Sequence, residues 1–179
     1  MVTCLGAEIA EDHPDGVLLV GVLPGAIPFL ADLVRAIEVP SEVDFLSISP
    51  FGGGLGSGGT GRVRLTLDLD LDIHGRDVVV VEEIVDTGLT LNYVLSELQA
   101  RHPRSISACA LVDRTRRRLV PVEVAYRGLE SDEDLLLGYG LGHGGRYANL
   151  AGLYAVEASD LSSHPDHHVA ALYGTLPAC

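Results

Sequence analysis

Lysine is absent. All twelve basic residues of this 179-residue chain are arginine, set against 25 aspartates and glutamates, and the formal charge is −13. A surface of that sign repels nucleic acid and anionic membranes, which excludes both as partners. It repels small anions at long range too, so a phosphate site here has to be built locally from backbone amides, helix ends, a metal ion and a few arginines. Long apolar runs are also missing. None reaches the ~20 residues of a membrane span, and no basic segment followed by an apolar one opens the chain, so no secretory signal is expected. Cysteine is scarce. Cys4, Cys109 and Cys179 are odd in number and scattered, with neither metal spacing nor a disulfide framework, which points to a reducing cytoplasm. Cys109 falls in an apolar strand pattern and reads as core rather than nucleophile.

What is present suits one domain, with 47% hydrophobic residues for its core. Val17 to Leu23 is a continuous apolar run, the mark of a buried parallel strand. Ala26 to Ile37 follows as a helix, with Ile27, Leu30, Leu33, Val34 and Ile37 on one face and Pro28 in the first turn. Val43 to Ser49 is the next strand. Pro50 to Gly61 then holds seven glycines in twelve residues and reads as a mobile lid, entered through Ser49, Pro50, Phe51 and Gly52. Arg62 to Leu71 alternates like a strand. Asp77 to Glu82, Ile106 to Val112 and Val122 to Gly128 are further strands, and Thr90 caps a helix reaching about Ala100. Leu135 to Leu137 and Leu153 to Val156 are short late strands of a small appended element. Strands alternating with helices predict an α/β fold with a mostly parallel twisted sheet flanked by helices. The domain is taken as residues 1–158, followed by a His- and Ser-rich extension, 159–179.

In open α/β sheets, ligands bind beyond the carboxyl ends of the strands. Three such ends carry unusual chemistry: Leu23-Pro24-Gly25, Glu82-Glu83 through Thr90, and Asp113-Arg114. Two adjacent acids, read as exposed after a buried strand, have no packing purpose. Asp86-Thr87-Gly88-Leu89-Thr90 then opens a helix. Gly88 permits close backbone approach and positive φ, the threonines add hydroxyls, and the helix start adds free amides and a positive end. Such a site suits a ligand with both hydroxyls and a phosphate.

These residues resemble the hypoxanthine-guanine branch of the type I phosphoribosyltransferases, whose donor is phosphoribosyl pyrophosphate (PRPP). The likeness runs from Val17 to about Val156, through Val20 to Ala26, Val43-Asp44-Phe45, Glu82 to Thr90, Ala110 to Arg114, Gly138 to Leu141, Arg146-Tyr147 and Asn149-Leu150. The resemblance implies the family's fold with a small hood, and an Mg²⁺-dependent enzyme that passes 5-phosphoribosyl to an acceptor, a 6-oxopurine by family default, and releases pyrophosphate. It implies that Glu82 and Glu83 hold the ribose hydroxyls and, indirectly, the metal. Amides from Asp86 to Thr90 hold the 5-phosphate, and Pro24 and Gly25 line the pyrophosphate loop. Asp86 is the general base, and Arg146 stabilises the leaving group. Arg114, Leu135, Leu136 and Gly142 meet the acceptor. Homodimers or homotetramers are implied as well.

The departures from the family pattern are local. Glu83 replaces an aspartate. Pro24 replaces a lysine, removing an amide and an ammonium group; an X–Pro bond could hold the family's cis bend more cheaply, or be an ordinary trans proline that ends the strand. Arg114 stands for a lysine, Leu135 for the aromatic that stacks on the base, and Gly142 for an aspartate, which is expected to open space. These changes fit either a relaxed purine site or a non-purine acceptor, for instance an amine-rich hydroxyl compound. A non-catalytic PRPP-sensing regulator is a third reading, disfavoured by the missing basic face and by the retained Asp86. Only sixteen residues precede the first strand, so reduced hood strands are expected. His164, His167 and His168 resemble a weak metal cluster, with a solvated tail as the plainer reading. Arg116-Arg117-Arg118 reads as facing solvent or a partner subunit.

Overall fold

A computed structural model describes residues 1–51, 62–164 and 166–174. They form two compact units, Met1–Ser131 and Asp132–Cys179; the 159–179 extension belongs to the second. The lid position Gly52, with the stretch to Gly61, lies outside the described residues.

The first unit contains β1 (Val17–Leu23), β2 (Ser41–Phe51), β3 (Arg62–Leu67), β4 (Asp77–Val85), β5 (Ser105–Asp113) and β6 (Tyr126–Glu130), with helices α1 (Val2–Asp12), α2 (Ile27–Ala36) and α3 (Leu89–Gln99). The sheet order is β3-β2-β1-β4-β5-β6. All neighbours are parallel except β2 and β3. Helices cover both faces, so the central strands are apolar throughout rather than alternating: Leu18 to Val20 and Val78 to Val81 are wholly buried. Leu18, Val20, Val22, Val78 and Val80 share one core with Leu91, Val94 and Leu98 of α3. The remaining lid positions Ser49, Pro50 and Phe51 are the last residues of β2.

Local readings change at several places, one being the strand read over Arg62 to Leu71, which ends at Leu67. β4 continues through Glu82 and Glu83, because its ladder to β5 (Glu82 opposite Ala110, Ile84 opposite Val112) uses backbone groups indifferent to side-chain polarity. α3 begins at Leu89 with Gly88, not Thr90, at its N-cap. β6 starts at Tyr126 rather than Val122. The N-terminal segment is a helix that buries Leu5 and Ile9.

The second unit holds an antiparallel pair, β7 (Leu135–Leu137) and β8 (Tyr154–Val156), and two short helices, α4 (Ala158–Ser163) and α5 (Val169–Gly174). Its core is Leu137, Tyr147, Leu150 and Leu161. The described part of the tail is therefore packed into this core on one side rather than wholly solvated. Leu161 is buried, and the Tyr173 ring stacks on Tyr147 with centroids 6.1 Å apart. The Tyr173 hydroxyl donates to Asn149 Oδ1 at 2.6 Å.

Candidate active site

At the carboxyl edge of the sheet a cleft of about 310 Å³ is lined by Val22, Leu23, Ile48 and the run Glu82 to Gly88 with Thr90 and Leu91. Parallel register explains the convergence: Leu23 ends beside Ser47, and Val85 ends beside Asp113. The Leu23–Pro24 peptide is cis.

Glu82 is 5% exposed, a burial that the sequence reading of exposed acids did not anticipate. Its Oε1, and Oδ1 of Asp86, are buried with no hydrogen-bond partner among the described residues. A buried unpaired acceptor costs roughly 1–3 kcal/mol, so these oxygens are set for something other than folding. Burial, and secondarily the Glu83 carboxylate, pushes Glu82's carboxyl well above its usual range. Burial also raises Glu83. A Cβ at residue 25 would overlap the Glu83 carboxylate, which explains why glycine stands there. These carboxylates supply hard oxygen donors, the type Mg²⁺ prefers.

The loop Val85 to Gly88 is gripped from behind. Arg118 Nη1 donates to the carbonyls of Val85 (2.9 Å) and Asp86 (2.7 Å). Leu119 N donates to the Thr87 carbonyl at 2.9 Å, and Asn92 N to that of Gly88 at 2.9 Å. In a trans peptide each N–H points opposite its carbonyl. The amides of Asp86, Thr87, Gly88 and Leu89 therefore turn away from this brace, leaving an amide-lined concavity at the start of α3, the kind of place that suits an anion. The Leu89 amide also meets Thr87 Oγ1, at a long 3.4 Å. Gly88 sits at φ +81°, the left-handed region glycine enters without penalty.

Arg118 is the residue the sequence reading missed. It is half-buried and pairs with the fully buried Asp113, which Arg127 Nε also meets at 2.8 Å. Arg118 is thus turned towards Asp113 and the loop rather than towards solvent. Its signal was the spacing to Asp113, five residues earlier, across the turn Thr115–Arg117. Arg114 is buried beside the loop, with Nη1 3.9 Å from Asp86 Oδ2. Cys109 is core, its thiol pushed by burial to about 12, so it is no nucleophile.

The other expected site residues belong to the second unit. Leu135 and Leu136 lie in β7, half-buried and buried. Gly142 does not open space: a Cβ there would sit 2.9 Å from the Arg146 carbonyl. Arg146 is exposed, donates to the Gly144 carbonyl at 3.1 Å and pairs with Asp166.

A family model described as phosphoribosyl transferase domain matches residues 5–137. The chain belongs to the phosphoribosyltransferase family. This phosphoribosyltransferase is 42% identical over 154 residues to the hypoxanthine-guanine phosphoribosyltransferase of Mycobacterium avium, covering 82% of this chain and 75% of that one. It is 41% identical over 149 residues to the hypoxanthine phosphoribosyltransferase of Salmonella typhimurium, covering 82% and 83%. The solved hypoxanthine phosphoribosyl transferase of Trypanosoma cruzi superposes with TM-score 0.84 at 31% identity, covering 92% and 89%. A hypoxanthine-guanine phosphoribosyltransferase of Bacillus anthracis gives 0.79 at 32%, covering 88% and 90%. As a member of this family the chain is an enzyme, a PRPP-dependent glycosyltransferase.

Proposed function

We propose that this enzyme transfers 5-phosphoribosyl from PRPP to a 6-oxopurine such as hypoxanthine or guanine and releases pyrophosphate. The observation that carries the reading is the pairing, in one cleft, of an amide-lined loop with the orphaned carboxylate oxygens of Glu82 and Asp86. The loop amides take the 5-phosphate. Glu82 and Glu83 accept hydrogen bonds from the ribose hydroxyls, which ends Glu82's unmet demand. Arg114 donates to the purine oxygen. Asp86 takes the acceptor's N–H proton as the nitrogen–ribose bond forms and the bond to pyrophosphate breaks. Named relatives act on hypoxanthine or guanine, which supports this acceptor over a non-purine one and catalysis over a sensing role.

The carboxylates of Glu82 and Glu83 fit Mg²⁺, held chiefly through water and substrate oxygens. When bound, the ion neutralises pyrophosphate charge. For the second unit the reading rests on the sequence match: Arg146 for the leaving group, and Leu135, Leu136 and Gly142 for the acceptor. The free thiols Cys4 and Cys109 suit a cytoplasmic enzyme, and a homodimer or homotetramer is the assembly proposed.

Calorimetry with PRPP and Mg²⁺, followed by mass spectrometry of products from a panel of purines, amines and hydroxyl compounds, tests the proposal. Nucleoside monophosphates from hypoxanthine or guanine are expected. Absence of PRPP binding, or products from non-purines alone, overturns it.

A further inference from the structure

Two imidazoles and a carboxylate gather in the second unit, remote in role from anything above. We propose that Asp160, His167 and His168 form a binding site for a divalent transition-metal ion of the Zn²⁺ type. One ligand atom from each lies within 4.8 Å of the others. His168 Nε2 is buried without a hydrogen-bond partner among the described residues. Its nearest acid oxygen, Asp160 Oδ2, is 3.7 Å away. That gap is too long for a hydrogen bond but close to the edge of a tetrahedral site, about 3.4 Å for ligand bonds near 2.1 Å. The outermost atom has to move inward by about 1.4 Å, within reach of side-chain rotation.

The scaffold holds the donors in place. Burial of Leu161 seats α4, which carries Asp160. The turn bearing the histidines is tied by His167 N to the His164 carbonyl (2.9 Å) and Leu172 N to that of His168 (2.9 Å). The two rings meet edge-on rather than stacked, with centroids 4.8 Å apart. Two imidazoles with one carboxylate select a borderline ion such as Zn²⁺, Ni²⁺ or Co²⁺ over Mg²⁺, which demands oxygens. Three protein ligands leave a position for water. The ion ties α4 to the segment before α5, the same turn in which Asp166 holds Arg146.

The test titrates the full chain, without PRPP, with Zn²⁺ by calorimetry and with Co²⁺ by visible absorption. One equivalent per chain is expected, with a rise in melting temperature. Asp160→Asn, His167→Ala and His168→Ala should each weaken binding at least tenfold and abolish that rise; His167 is exposed, so its variant keeps the packing. His74→Ala with His102→Ala, which removes the other histidine pair, should leave binding unchanged. Binding that survives all three substitutions, follows the His74–His102 pair, or falls well short of one equivalent overturns the proposal.

Discussion

Replacing Gly88 with alanine probes the loop with the smallest possible change. At φ +81° an L-residue incurs roughly 1–2 kcal/mol from the left-handed backbone alone. The new Cβ also arrives 2.9 Å from Val122 Cγ1, 3.0 Å from the Val120 carbonyl and 3.1 Å from Arg118 Cδ. The valine can rotate, but the carbonyl and the braced arginine cannot both yield, and overpacking of this kind adds about 1–3 kcal/mol. The sum, about 2–5 kcal/mol, corresponds to a fall in melting temperature of about 4–20 °C for a chain of this size. Gly75→Ala is the matched control: φ is +68° and nothing lies within 4 Å of its Cβ, so only the backbone part applies. Scanning fluorimetry of both variants isolates the steric part. Where the loop relieves its strain by shifting, PRPP affinity should fall more than about tenfold, the equivalent of 1.4 kcal/mol. Equal melting temperatures for the two variants would refute the contact argument, and unchanged PRPP affinity in Gly88→Ala would refute the role of the loop.

Asp86→Asn keeps shape and removes the base, so kcat should drop by about 10²–10⁴ with PRPP affinity changed only a few-fold; equal losses in both would contradict the assignment. Glu82→Gln tests the buried acid through pH. The folded carboxyl titrates above the unfolded one, so the folded chain retains a proton and stability declines as pH rises from the ordinary glutamate range towards the folded value. Urea unfolding between pH 4 and 8 should show that decline in the parent and a flatter profile in the variant, whose PRPP binding is weaker; parallel profiles would count against it. Arg118→Met leaves Asp113 with Arg127 alone and frees two loop carbonyls, so unfolding free energy should fall by about 3 kcal/mol. A change below about 0.5 kcal/mol in urea titrations would mean the arginine braces nothing.

Much of the first unit could be read directly because parallel strands covered on both faces leave unbroken apolar runs: Val17 to Leu23 begins and ends as the pattern says. Glu82 and Glu83 misled at the next level. A polar side chain looks like a strand end, yet the ladder through Ala110 and Val112 runs on beneath it. Thr90 is the better capping residue by composition, but the sharp turn needs positive φ two residues earlier, and Gly88 supplies it. α1 escaped notice because only Leu5 and Ile9 mark its inner face. The basic triplet at 116–118 read as facing solvent or a partner because its spacing to Asp113, the one signal present, does not say that Asp113 is enclosed. In the tail, helices of six residues carry too few turns for a periodic signal, and only tertiary burial of Leu161 reveals them.

The grip of Arg118 on the back of the Val85–Gly88 loop has a consequence for anyone classifying natural variants of this enzyme. A ranking by proximity to the substrate would file this side chain among harmless surface changes, since it reaches the loop from the side away from the cleft. On the proposed function its loss would nonetheless mimic a defect in donor recognition, and a screen scoring only residues that line the cleft would misattribute the cause.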